Sequence, residues 1–171
     1  MILETEGYRI NFSDAINAFK FDETDSSKNT FHGVTALKAV DIIAEFESSY
    51  LFVEIKNYDN PDDFYVEKGI DTIDSQKRHD AFNWLKNYLK YKYRDSYIYR
   101  HVEEKVDKPI HYLCLLNLDN ALNGKLAKNM RSELPIGKKS PRWHKEIATS
   151  CQVLNETAWN RNFPKWPLHR I

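Results

Sequence analysis

The sequence predicts an α/β protein with a mixed central β-sheet flanked by helices on both faces. Three stretches carry this prediction. Residues 38–58 alternate apolar and polar side chains as a β-hairpin does. Apolar residues recur at helical spacing from about residue 67 or 71 to residue 89, and residues 110–118 are almost continuously apolar, which is typical of a strand covered on both faces. A chain of 171 residues suits one domain, so we expect residues 1–171 to share one core.

The segment before the hairpin supports two interpretations. Ser13 and Asp14 are suited to cap a short helix, whereas Phe19 and Phe21 alternate with polar residues as in a strand. We predict a short helix that runs into an extended segment, and we place the first strand near residues 19–21 or 30–37. His32 lies in a polar loop, where a single histidine is usually solvated.

The hairpin carries ionisable side chains on one face. A two-residue turn at Ser48 and Ser49 would place Asp41 opposite Lys56, with Glu54 on the same face. Two carboxylates beside an ammonium suit Mg²⁺, which prefers oxygen ligands and binds phosphate. A lysine next to such an ion can orient a water and offset charge on a phosphoryl oxygen. The alternative is a solvated strand face with a cross-strand Asp41–Lys56 pair, worth less than about 1 kcal/mol.

Asp41 followed by Glu54-Ile55-Lys56 on the next strand resembles the signature of the PD-(D/E)XK nuclease superfamily, the restriction-endonuclease-like and Holliday-junction-resolvase-like enzymes. Val40 replaces the proline of the signature and changes no ligand. The resemblance implies a restriction-endonuclease-like αβββαβ core that hydrolyses DNA phosphodiester bonds. It also implies Mg²⁺ or Mn²⁺ bound by Asp41, Glu54 and the backbone carbonyl of Ile55, with Lys56 assisting the attacking water.

The resemblance leaves the remaining ligands and the activity open. Many members of the superfamily place an additional acidic residue on a first helix, and the candidates here are Glu6, Asp14 and Glu23. The acidic residues that follow the hairpin are candidates for a second metal ion: Asp59, Asp62 and Asp63. The alternative function is a catalytically inactive nuclease-like fold that serves as a nucleic-acid or protein interaction module within a larger defence or mobile-element complex. Enzymes of this type are often homodimers.

The second half of the chain adds two helices, two strands and an aromatic tail. Basic residues line one face of the long helix, and the chain continues with interleaved tyrosines. Together they could follow a phosphate backbone, although a solvated helix face is the simpler interpretation. A second helix is predicted over residues 120–134, a basic loop over 135–142 and a final strand over 151–154. The aromatic residues after 159 are expected to pack on the core. The basic residues of the long helix are Lys77, Arg78, Lys86, Lys90, Lys92 and Arg94.

Composition narrows the classes of partner. The 25 basic and 25 acidic residues balance, so a nucleic-acid contact must come from a local patch. Cys114 and Cys151 lie in apolar segments without C-x-x-C spacing and are predicted to be buried thiols. The sequence contains no signal-peptide pattern and no apolar run of membrane-spanning length, so we expect a cytoplasmic protein without membrane contact.

Overall fold

A computed structural model describes residues 1–58, 63–70 and 75–171 of the chain. The strands and helices occur in the order β1 (Ile2–Thr5), β2 (Tyr8–Asn11), β3 (Asn17–Lys20), β4 (Ile42–Glu45), β5 (Tyr50–Lys56), α1 (Asp63–Glu67), α2 (Ser75–Val102), β6 (Ile110–Leu116), α3 (Asn120–Glu133), β7 (Ser150–Leu154), α4 (Glu156–Asn162) and β8 (Leu168–Arg170).

The centre of the fold is a mixed five-stranded sheet in the order β3-β4-β5-β6-β7. β3, β4 and β5 pair antiparallel, whereas β5, β6 and β7 pair parallel. Parallel neighbours need a crossover, which is helical here, because α1 and α2 lie between β5 and β6 in the chain and α3 lies between β6 and β7. This confirms the predicted α/β class and mixed sheet. The narrower restriction-endonuclease-like core remains a prediction.

The two faces of this sheet are covered differently. α2 and α3 cover one face, where Leu85, Leu89 and Leu126 are fully buried. On the other face the antiparallel sheet β1-β2-β8 buries Ile10 and Leu168, and α4 adds Trp159. The prediction of helices on both faces therefore holds only in part, since among the described residues α4 is the one helix that packs on the second cluster. The reason is the alternation Tyr8, Ile10, Phe12, which gives β2 an apolar face.

The N-terminal segment corrects one prediction and locates a strand. Ser13 and Asp14 form a turn instead of a helix, and the Asp14 carboxylate accepts a hydrogen bond from Trp166 Nε1 at 2.6 Å. Asn17–Lys20 pairs with β4 and supplies the first strand of the central sheet, whereas residues 30–37 contain no strand. At the other end β7 includes the predicted residues 151–154, but it is followed by β8 and is not the last strand.

The β4–β5 hairpin has a longer loop than predicted. Glu45 pairs with Tyr50 and Ile42 pairs with Val53, so residues 46–49 form the loop, closed by a 2.8 Å hydrogen bond from the Phe46 N–H to the Ser49 carbonyl. The predicted two-residue turn is therefore wrong. Each partner is displaced by two residues, and an even displacement keeps every side chain on its predicted face. Continued by one pair, the ladder brings Asp41 to Glu54 and not to Lys56.

Two predictions about the core agree with the structure. Cys114 and Cys151 are buried free thiols. The ring of Trp166 stacks on Phe46 with ring centroids 4.9 Å apart, so the aromatic tail packs on the core as expected. Within the described ranges, no helix combines the length and apolar character needed to cross a bilayer.

Candidate metal centre

Three neighbouring strands bring acidic side chains to one end of the central sheet. Asp22 follows the end of β3, Asp41 precedes the start of the antiparallel β4, and Glu54 lies near the end of β5. The Phe21 N–H donates a 2.9 Å hydrogen bond to the Asp41 carbonyl, which continues the β3–β4 pairing past the strand ends. The site is therefore built from backbone pairing and not from a flexible loop.

Asp41 and Glu54 converge on one ammonium group. Asp41 is 3% exposed and Glu54 is 0% exposed. Lys92 Nζ, from α2, lies 3.5 Å from Asp41 Oδ1 and 3.2 Å from Glu54 Oε2. Asp41 Oδ2 also accepts a 2.5 Å hydrogen bond from the Ile55 N–H. Within the described part of the chain, the groups that compensate Glu54 are the Lys92 ammonium and the Tyr88 hydroxyl, neither of which reaches it with good hydrogen-bond geometry.

Burial dominates the electrostatics of this group. Loss of solvent raises the pKa of Asp41 to about 7, against the attraction of Lys92. Burial, followed by the neighbouring Asp41 charge, raises the pKa of Glu54 well above its usual range. Burial opposes the charge on Lys92, but Glu54 and Asp41 outweigh it and raise the pKa of the ammonium. The Lys92 ammonium therefore does not fully compensate the buried carboxyl groups of Asp41 and Glu54.

A further acidic pair extends the site beside Asp41. One carboxylate oxygen from each of Glu6, Asp22 and Asp41 lies within 4.8 Å of the others. Glu6 reaches this position because Glu6 and Gly7 form the β1–β2 turn with φ values of 52° and 75°, the positive values that a tight hairpin turn requires. Burial raises the pKa of Asp22, which shares a hydrogen bond with Asp41.

The structure distinguishes among the predicted N-terminal candidates. Glu6 is at the site, whereas Asp14 binds Trp166 and the Glu23 carboxylate accepts hydrogen bonds from the N–H groups of Thr24 and Asp25. The sequence analysis missed Asp22. The signal was available once β3 is assigned, because the end of an antiparallel neighbour meets the start of β4, where Asp41 lies.

Lys56 lies on the predicted face but not in the predicted pair. It is half-buried, and its Nζ lies 4.8 Å from the centre of the Tyr88 ring. None of the carboxylates in the described ranges is within ion-pair distance of it, and Lys92 of α2 is the lysine that pairs with Asp41. The sequence did contain a signal for Lys92, since it lies four residues after Tyr88 and four before Ser96 on the inward face of α2.

Other predicted charged groups are placed away from this centre or bound to each other. Lys86 and Lys90 pair with Glu133 at 3.0 and 2.9 Å, so they do not form an open track for phosphate. Asp59 and Asp62 lie outside the described residues, and Asp63 is the first residue of α1. The basic loop side chains are exposed: Lys138, Lys139 and Arg142.

Comparisons with known proteins add no relative: the chain matches no family model, no curated protein and no solved structure. The PD-(D/E)XK resemblance therefore depends on the signature residues alone.

Proposed function

We propose that this protein is a divalent-metal-dependent nuclease that hydrolyses DNA phosphodiester bonds, with Asp41 and Glu54 as metal ligands and Lys56 assisting the attacking water. The observation that carries the proposal is the convergence of Asp41 and Glu54 on one buried position held by the Lys92 ammonium, at 3.5 and 3.2 Å. Two buried carboxylates that meet at a cation favour positive charge at that point.

The residues present fit a hard divalent cation. The donors are carboxylate oxygens, which Mg²⁺ and Mn²⁺ prefer. Asp22 and Glu6 add negative charge next to Asp41, and Glu54 has oxygens without a satisfactory hydrogen bond among the described residues. Asp41, Glu54 and the Ile55 carbonyl would hold the ion. A bound divalent ion would act as a Lewis acid and stabilise charge that develops on the phosphate.

The protein side chains have distinct roles in this proposal. Lys56 is held beside the site by the Tyr88 ring and would orient the attacking water through its ammonium. Lys92 balances Asp41 and Glu54 before the ion binds, so the ion competes with it for the same carboxylates. The Ile55 N–H fixes the Asp41 carboxylate in the orientation that faces Glu54.

The test is cleavage of single-stranded and duplex DNA by purified protein in EDTA, Mg²⁺ or Mn²⁺. Cleavage should require the divalent ion, and Glu54→Gln and Lys56→Ala should each lower the rate at least about 100-fold, since the first removes a metal ligand and the second removes the group that orients the attacking water. Glu47→Gln, on the exposed hairpin loop, is the matched control for Glu54 and should cleave normally. Cleavage that is unchanged in Lys56→Ala would exclude the proposed role of this lysine.

A second candidate function is a catalytically inactive module that binds nucleic acid or protein within a larger complex. The observation that favours it is Lys92, which already supplies a cation between Asp41 and Glu54. Titration with Mn²⁺ separates the two candidates. Binding that is lost in Glu54→Gln supports the nuclease, whereas absence of binding by the unmodified protein supports the inactive module.

A further inference from the structure

A groove leads away from the candidate metal centre. A cavity of about 570 Å³ is bordered by Asp22 and Lys92 at the centre and continues past Tyr88 and Phe31. A second cavity of about 320 Å³ also has Phe31 and His32 in its wall, so the two adjoin. We call the two cavities together the groove.

The walls of the groove are partly apolar and accessible. Phe31 is 37% exposed and Val34 is 38% exposed, although both are large apolar side chains. The His32 ring packs between the rings of Phe21 and Tyr99, with centroid distances of 5.3 and 4.9 Å. These contacts fix the part of the wall next to Phe31. Aromatic surfaces of this kind accept the face of an unstacked base. A duplex cannot offer one, because its bases are stacked inside the helix.

One lysine in the wall of the groove is available to a ligand. Lys38 lines the larger cavity, and its Nζ lies 5.2 Å from the Tyr88 ring centre. Its ammonium is not within ion-pair distance of a carboxylate in the ranges that the structure describes, in contrast to Lys86 and Lys90, which share Glu133. The other lysine in this wall, Lys92, is bound to Asp41 and Glu54, so Lys38 is the one suited to a phosphate.

The second cavity adds a buried cation at the far end of the groove. Arg100 is 6% exposed and pairs with Glu103 through one terminal nitrogen at 2.5 Å. Its Nε has no hydrogen-bond partner among the described residues. A buried N–H donor without a partner at the wall of a cavity is suited to a phosphate or base oxygen.

We infer that DNA reaches the centre as a single strand, with a base against Phe31 and a phosphate against Lys38. This inference rests on the proposed function and specifies the form of its substrate. An exposed aromatic ring beside a lysine that has no carboxylate partner among the described residues matches a neighbouring base and phosphate of one strand.

The experiment measures binding without catalysis. Fluorescence anisotropy of a labelled single-stranded DNA of about 12 nucleotides, in EDTA, is compared with the duplex and the RNA of the same sequence. We expect the single-stranded DNA to bind at least about tenfold more tightly than the duplex. Phe31→Ala should weaken its binding roughly tenfold, and Lys38→Ala should reduce the slope of log affinity against log salt by about 0.7. Lys128→Ala, on the exposed side of α3, is the control of equal charge and should change neither.

The results separate this inference from the proposed function. Preference for duplex or for RNA, or single-strand binding that ignores both Phe31→Ala and Lys38→Ala, overturns the inference even if Mg²⁺-dependent cleavage is observed. Single-strand binding that depends on Phe31 and Lys38, in a protein that does not cleave DNA, upholds the groove and overturns the nuclease.

Discussion

Lys92 sets the charge balance of the candidate centre. It is 9% exposed and lies within ion-pair distance of both Asp41 and Glu54. Burying two carboxylates is costly unless cations or hydrogen bonds compensate them, and Lys92 is the cation that lies close to both. The stability of this end of the sheet therefore depends strongly on one lysine.

Replacing Lys92 with methionine should expose that dependence. Lys92→Met keeps most of the side-chain volume but removes the charge, so the free energy of unfolding in EDTA should fall by about 3 kcal/mol. Mn²⁺ should restore part of the loss, because the ion supplies the missing positive charge. Urea unfolding in EDTA and in Mn²⁺ measures both effects, with Lys128→Met as a surface control. Equal stability of the variant and the unmodified protein in EDTA would contradict this account.

The Asp41 carboxyl predicts a pH dependence with a definite sign. Burial raises its pKa from 3.8 to about 7, so the folded protein holds the proton more tightly than the unfolded chain. The stabilisation that comes from this tighter proton binding is complete below about pH 4 and is lost as the pH rises to about 7. In EDTA, Asp41→Asn should therefore gain stability relative to the unmodified protein across this window, by at most about 1.4 kcal/mol per pH unit. Urea unfolding of both proteins at several pH values tests it, and a constant difference would be the contrary result.

At the scale of elements, the alternation in β4 and β5 predicted the faces correctly but not the turn. The predicted loop at Ser48 and Ser49 lacks the glycine or asparagine that fixes a two-residue turn. Phe46 is 8% exposed and stacks on Trp166, which comes from the far end of the chain. This contact favours a position of Phe46 outside the β4–β5 pairing. Tertiary packing decided the register, and sequence spacing alone does not contain that information.

The long helix shows the same division between what a pattern determines and what packing determines. Its apolar spacing predicted the buried stripe with Leu85 and Leu89, and the structure agrees. The spacing of Lys92 places it in that stripe. Because lysine is charged, however, we predicted it on the basic face of the helix. A lysine can be assigned to a buried face only when its carboxylate partners are known, and Asp41 and Glu54 come from other elements.

The weak sequence pattern of strand β3 explains why Asp22 was not predicted. Strand β3 has four residues with only Ala18 buried, which is a weak pattern.

Because Asp22 shares a hydrogen bond with Asp41, Asp22→Asn should weaken Mn²⁺ binding by about tenfold, as loss of a residue that orients a ligand does. Calorimetric titration measures this, and Asp25→Asn on the exposed loop is the control. Unchanged affinity would remove Asp22 from the centre.

At the scale of the whole molecule, both hydrophobic clusters depend on the same five strands. Ile43 and Phe52 point into the cluster covered by α2 and α3, whereas Ile42 and Val53 point into the cluster covered by the β1-β2-β8 sheet. Separating either layer exposes one face of the central sheet to water and removes the packing that supports the other. The sequence predicted a single core from length alone, but the structure gives a physical basis for cooperative unfolding.

Cooperative unfolding predicts that a cavity in either layer weakens the whole molecule. Leu89 and Leu168 are both 0% exposed and lie on opposite sides of the central sheet. Leu89→Ala and Leu168→Ala should each lower the free energy of unfolding by about 2–5 kcal/mol. Circular dichroism and tryptophan fluorescence should give coincident urea transitions for both variants, since one cooperative unit has one transition.

This prediction is tested by whether circular dichroism and fluorescence give the same urea transition for each variant. The difference between the midpoints of the two variants does not test it. Val102→Ala, at a residue 79% exposed, is the control and should stay within about 0.5 kcal/mol of the unmodified protein. If Leu168→Ala produced an early fluorescence transition while the helical signal persisted, the β1-β2-β8 sheet would unfold independently. Glu6, which this small sheet brings to Asp41, would then leave the candidate centre before the central sheet unfolds, and Asp22, Asp41 and Glu54 would remain there.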